Sequence, residues 1–104
     1  MKLLIGIPTS GQPTRPFLDA LAKLELPQSV TDADRLVWTG NAVAVQREMI
    51  ARDAVARGAD LLAMIDDDII VPPDALARLI GALEADPGAA VAGALYYSRD
   101  SARL

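Results

Sequence analysis

The chain has 104 residues, of which 52% are hydrophobic, and this is enough apolar surface for one folded domain rather than a disordered chain. A formal net charge of −4 and the lack of a basic stripe argue against nucleic acid as the main partner. The sequence contains no cysteine and no histidine, so any catalysis or metal binding in these residues would rest on carboxylates.

The first apolar run, residues 3–7, predicts a buried strand that ends in a loop at Pro8. This run is too short for the core of a signal peptide, and no other segment approaches the length of a membrane span. We therefore expect a cytoplasmic protein without a membrane span.

The next part of the chain alternates helix and strand patterns. Residues 15–24 carry apolar side chains at the i, i+3, i+4, i+7 spacing of an amphipathic helix, and residues 35–39 predict a second strand. A helix over residues 42–57 follows, with Asn41 as its candidate N-cap and Gly58 at its C-terminal stop.

A second apolar run, residues 61–65, predicts a third strand that is buried on both faces. Residues 73–85 then predict a helix, and residues 90–97 predict a fourth strand. The helix is expected to bury Leu76, Leu79, Ile80 and Leu83. We expect one domain over residues 1–97 and a tail over residues 98–104.

This alternation of strands and helices favours the α/β class. The predicted architecture is a three-layer, mostly parallel sheet with helices on both faces and right-handed crossovers.

Three aspartates, Asp66, Asp67 and Asp68, directly follow the third strand. In open parallel sheets, ligands collect beyond the carboxyl ends of the strands. Alternation along an extended segment would put Asp66 and Asp68 on one side, where two carboxylates suit Mg²⁺ or Mn²⁺. The alternative interpretation is a solvated acidic turn that caps the next helix.

Three stretches resemble parts of the family 2 glycosyltransferases with the GT-A fold. The stretch ARGADLLAMIDDDIIVPPDALARLIGAL resembles the segment around their DxD motif. The opening LLIGIPTSGQPTRPFLDAL is similar to their first strand and loop, and NAVAVQREMIARDAVARGAD is similar to the helix that leads to the DxD strand. The resemblance extends over about residues 3–97.

The resemblance implies a truncated GT-A (nucleotide-diphospho-sugar transferase) type of fold and an enzyme of glycosyl transfer. The substrate would be a nucleoside diphosphate sugar, bound through Mn²⁺ or Mg²⁺. The resemblance places Asp66 and Asp68 at the metal. It places the nucleotide sugar against Pro8, Thr9, Arg47, Asp66 and Asp67. For Arg47, a solvated helix arginine is an equally good interpretation.

In the family, a second half with the acceptor site and a carboxylate base follows the DxD segment. This sequence stops at Leu104, and Tyr97, Arg99 and Asp100 are the last side chains with suitable chemistry. We therefore expect either a donor-binding half that lacks its C-terminal partner or a small relative that is completed by another chain. An uncovered edge of the third strand would favour a homo-oligomer.

Two other functions fit the same residues. One is a nucleotide-sugar binding module without turnover. The other is a Mg²⁺-dependent phosphotransfer domain. Such domains place their key aspartate at the first strand or pair it with an early acidic cluster, and IGIPTSG has no acid. The sequence leaves the sugar, the acceptor and the catalytic base open.

Overall fold

The structure is a computed structural model and describes residues 1–9, 11–40 and 42–94. In these residues, three strands alternate with three helices, which confirms the predicted α/β class. The elements are β1 Lys2–Pro8, α1 Arg15–Ala22, β2 Asp32–Trp38, α2 Val43–Ala56, β3 Leu61–Met64 and α3 Ala75–Ala85.

The three strands form one parallel sheet in the order β2-β1-β3. Leu3 of β1 is paired with Ala33 of β2 on one side and with Leu61 of β3 on the other. β1 therefore lies in the centre, and its unbroken apolar run is the sequence pattern expected of a strand that is buried on both faces.

One face of the sheet is covered by α1 and α3. Alternate side chains of β1 point to this face and pack with the apolar stripes of both helices. The core on this face comprises Leu3, Ile5, Ile7, Phe17, Leu21, Ile65, Leu76 and Ile80. Leu79 and Leu83 of α3 are only half-buried, so the predicted buried set is confirmed for Leu76 and Ile80.

The opposite face is covered by α2. Gly6 of β1 lies directly below Ile50, and a Cβ atom at Gly6 would overlap the Ile50 side chain. Gln46, Ile50 and Ala54 are the buried side chains of α2, and their i, i+4, i+8 spacing forms one stripe against the sheet. Helices thus lie on both faces, as predicted.

Two predicted helix boundaries are wrong by two residues. The prediction ran α1 to residue 24, but the helix ends at Ala22, and the N–H of Glu25 donates instead to the carbonyl of Pro73 at 2.8 Å. The prediction began α3 at Pro73, but this carbonyl contact and a turn at Pro72 delay the helix to Ala75.

The second strand is longer than predicted, because β2 begins at Asp32 instead of Arg35. Aspartate is rare in strands, so propensity alone gives no signal for these residues. Pairing with β1 decides the start, since Lys2 of β1 is already in register with Asp32. β2 is an edge strand, and its charged side chains remain in solvent.

The predicted fourth strand is wrong over residues 90–94, which form no strand. This segment consists of alanine and glycine around Val91, which is 85% exposed, so it has few side chains that could pack on a sheet. Residues 95–97 of that prediction lie outside the described residues, as do Asn41 and the tail 98–104.

The C-terminal stop of α2 is confirmed. Gly58 follows the last turn with φ +68°, a left-handed conformation that glycine adopts without a steric penalty. Within the described part of the chain, none of the helices is long and apolar enough to cross a membrane.

Candidate functional site

The strand order creates a crevice between β1 and β3. From β1 the chain passes through α1 to β2 on one side, and then returns through α2 to β3 on the other side. This reversal is a topological switch point, where open α/β sheets bind their ligands beyond the carboxyl ends of the strands. Pro8 ends β1 at this edge, and Asp66 follows β3 at the same edge.

A cavity of about 300 Å³ lies at the switch point. Its walls are Pro8, Val43, Arg47, Asp66, Asp67 and Asp68. The structure therefore brings all of the predicted aspartates together with Pro8 and Arg47. Val43 is in the first turn of α2, so the N-terminal end of a 14-residue helix also borders this space.

The first aspartate forms an ion pair across the cavity. Nη2 of Arg47 donates to Oδ1 of Asp66 at 2.8 Å, and the two side chains are 49% and 32% exposed. Arg47 lies one turn inside α2, so this contact ties the helix to the end of β3. The pair is accessible to solvent, and its side chains can separate without unpacking the core.

The second aspartate accepts a hydrogen bond from the Thr9 hydroxyl group. The Thr9 side chain is itself buried, and its oxygen also accepts from the N–H of Gly11 at 3.2 Å. The predicted contact of Thr9 with a nucleoside stays a prediction, since this hydroxyl group is directed at Asp67. Pro8, by contrast, lines the cavity itself.

The predicted separation of Asp66 and Asp68 from Asp67 is wrong. It assumed an extended segment, but Asp67 and Asp68 form a turn, and period-two alternation is lost in a turn. As a result, all three carboxylates border the same cavity. Asp68 is exposed, and no hydrogen bond or ion pair joins it to the other residues that the structure describes.

Gln46 is a residue of this region that the sequence did not reveal. Its side chain is fully buried, and Nε2 donates to the carbonyl oxygen of Thr9 at 2.9 Å. The Thr9 N–H donates to the carbonyl of Trp38 at 3.0 Å, so Thr9 links α2, β2 and the aspartate turn. The only sequence signal for a buried Gln46 was its position four residues before Ile50, on a helix without a clear apolar stripe.

The donor set of the cavity fits a hard divalent cation. All candidate ligands are carboxylate oxygens, which Mg²⁺ and Mn²⁺ prefer. In residues 1–9, 11–40 and 42–94, no group of three or more acidic, histidine or cysteine side chains is arranged to enclose a metal ion. A cation at this cavity would therefore need water or phosphate oxygens in addition to the carboxylates, as Mg²⁺ does in sites with one or two carboxylate ligands.

A larger apolar groove of about 590 Å³ adjoins the cavity. It runs along β3 and α3, with walls that include Leu61, Ala63, Leu76 and Leu79. Arg47 and Asp66 border both spaces, so the ion pair stands where the groove meets the cavity.

The other predicted site side chains, Tyr97, Arg99 and Asp100, lie outside the described residues. Comparison of the chain with family models, curated proteins and solved structures found no match. The relation to family 2 glycosyltransferases is therefore a resemblance of motifs, and the function inferred from it is a proposal.

Proposed function

We propose that this chain binds a nucleoside diphosphate sugar through a divalent cation, as the donor-binding part of a glycosyltransferase of the family 2 type. The observation that carries the proposal is the convergence of Asp66, Asp67 and Asp68 with Arg47 at the switch point of a parallel sheet. The DxD resemblance supplies the substrate class.

In this proposal, Asp66 and Asp68 hold Mn²⁺ or Mg²⁺, and the cation supplies Lewis-acid stabilisation of the leaving diphosphate. Pro8 contacts the nucleoside from the end of β1. Arg47 and the first turn of α2 favour the negative charge of the diphosphate. Asp67 is held by Thr9 and orients the segment that carries both ligands.

Binding without turnover is the second candidate. Among the described residues, the acidic side chains that line the cavity are the three aspartates. Two of them are the proposed metal ligands and Asp67 is held by the Thr9 hydroxyl group, so we assign no general base among them. We therefore expect nucleotide binding, but no efficient sugar transfer, from these 104 residues alone. Transfer or hydrolysis of a donor sugar with Mn²⁺ present would distinguish the enzyme from the binding module.

The test is a thermal-shift panel of nucleoside diphosphates with and without Mn²⁺. A ligand that binds only the folded state adds about 2.7 kcal/mol of stability at a concentration of 100 times its Kd. We expect at least one nucleotide to raise the melting temperature in a manner that depends on Mn²⁺. No shift with any nucleotide, at any Mn²⁺ concentration, would reject the proposal.

Three variants assign the ligands. Asp66→Asn and Asp68→Asn should each weaken metal-dependent nucleotide binding by about tenfold or more, because the affinity of an oxygen site follows its ligand charge. Asp53→Asn is the matched control, since Asp53 is paired with Arg57 at the far end of α2. Unchanged binding in both Asp66→Asn and Asp68→Asn would exclude a metal site at the triplet.

A further inference from the structure

We propose that Arg47 neutralises Asp66 in the absence of metal. The Arg47 side chain must then leave this carboxylate before a divalent cation can bind there. The inference rests on the proposed function, because it concerns the same cation. It adds an order to the events: the cation alone binds weakly, and the cation and a diphosphate bind cooperatively.

The charges that border the cavity are the first argument. Among the residues that the structure describes, three carboxylates and one guanidinium group line it, and the guanidinium group is that of Arg47. It contacts Asp66, one of the two proposed ligands, and no described residue supplies a counter-charge to Asp68. Arg47 therefore occupies part of the position in which the cation would be most favourable.

The second argument is that the guanidinium group and the cation exclude one another. Nη2 is 2.8 Å from Oδ1 of Asp66, which is hydrogen-bond distance. A divalent ion on the same oxygen would stand next to a positive charge and repel it. In this proposal the cation binds this same oxygen, so that the Arg47 side chain rotates away when the cation binds.

The third argument is that the Arg47 side chain is free to move to another position. Its side chain is half-exposed and borders both the cavity and the adjoining groove. A planar guanidinium group matches the oxygens of a phosphate in a bidentate manner. A diphosphate would therefore replace Asp66 as the partner of Arg47. The cation would raise the affinity for the diphosphate, and the diphosphate would raise the affinity for the cation by the same factor.

The experiment measures Mn²⁺ binding without nucleotide, by the electron paramagnetic resonance signal of free Mn²⁺. Arg47→Gln should bind Mn²⁺ about two- to fivefold more tightly than the natural sequence, the range that corresponds to loss of an exposed ion pair. Arg47→Lys keeps the positive charge and should remain close to the natural affinity. Arg52→Gln is the matched control, because Arg52 is paired with Glu48 on the same helix and does not border the cavity.

The outcomes separate the inference from the proposed function. If the natural sequence binds Mn²⁺ and Arg47→Gln binds it no more tightly, the inference is overturned while the metal site stands. If only Arg47→Gln binds Mn²⁺ without nucleotide, the inference holds, and the proposed function then requires that the natural sequence binds Mn²⁺ once a nucleoside diphosphate is added. If no variant binds Mn²⁺ without nucleotide, the inference is overturned, and the Mn²⁺-dependent thermal shift with nucleoside diphosphates decides the proposed function. Urea unfolding of Arg47→Gln confirms that the variant is folded.

Discussion

The Thr9 hydroxyl group donates to the carboxylate of Asp67, although 58 positions separate the two residues along the chain. This contact joins the end of the central strand β1 to the turn that carries the aspartates after β3. Backbone bonds hold Thr9 in turn, through Trp38 of β2 and the side chain of Gln46. These contacts therefore fix the position of the turn relative to the buried central strand.

The first prediction concerns the strength of this contact. Thr9→Val removes the hydroxyl group with little change in volume, and should lower the free energy of unfolding by about 0.5–1.5 kcal/mol. A double-mutant cycle with Asp67→Ala should give a coupling energy of about 1 kcal/mol, measured by urea denaturation. Additive effects of the two substitutions would show that the hydrogen bond does not stabilise the fold.

The second prediction concerns the close approach of α2 to the sheet. Gly6→Ala should destabilise the protein by about 1–3 kcal/mol, because the new methyl group overlaps Ile50 and α2 must shift outward. Ile50→Ala removes the overlapping atoms, so the double variant should be less destabilised than the sum of the single variants.

The control for this substitution is Gly81→Ala, in the middle of α3. A Cβ atom at Gly81 meets no atom within 4 Å, and alanine is the better helix former. This variant should therefore gain about 0.5–1 kcal/mol in thermal or urea unfolding. Equal destabilisation by the two substitutions would contradict the steric explanation.

Much of the fold was predictable from the sequence, for identifiable reasons. β1 and β3 are continuous apolar runs, and α3 has regular apolar spacing, so local patterns were sufficient to locate both strands and most of this helix. The predicted burial of β3 on both faces is wrong, because among the described residues β3 is an edge strand whose residues are half-buried or exposed. β2 was underestimated because Asp32 and Asp34 oppose strand propensity and are held only by pairing with β1. The prediction of a fourth strand is wrong over residues 90–94 because an alternating alanine-rich pattern does not by itself bury enough surface.

The candidate site was predictable in its location but not in its contacts. The rule that parallel strands collect ligands at their carboxyl ends was sufficient to bring Pro8 and the aspartates together. Which side chain each aspartate contacts depends on the rotation of α2 and on the turn at Asp67, and neither leaves a local pattern. The pairs Arg47–Asp66 and Thr9–Asp67 were therefore found only in the structure.

The third prediction concerns stability without metal. Asp68→Asn should leave the free energy of unfolding within about 0.5 kcal/mol of the natural value, or raise it, because it relieves repulsion without breaking a described contact. Asp66→Asn should instead lose up to about 1 kcal/mol with its ion pair to Arg47. Urea denaturation in the presence of a chelator is the measurement. A larger loss of stability in Asp68→Asn than in Asp66→Asn would refute the assigned charge contacts.

The last prediction concerns the outer edge of the sheet. β3 is paired with β1 on one side, and the described residues contribute no strand to its other side. The β2 edge carries Asp32, Asp34 and Arg35, whereas β3 reads Leu-Leu-Ala-Met without a charge. Charges protect edge strands from pairing with other chains, and an apolar edge lacks this protection.

We therefore expect self-association through β3, which sedimentation velocity at micromolar concentrations would detect. Met64 is 39% exposed on β3, and Met64→Lys should shift the chain toward the monomer by placing a charge at that edge. Val37→Lys is the matched control, because Val37 is 48% exposed on the opposite, already charged edge strand and should not change the association. A monomer at every concentration, or equal loss of association in both variants, would exclude pairing through β3.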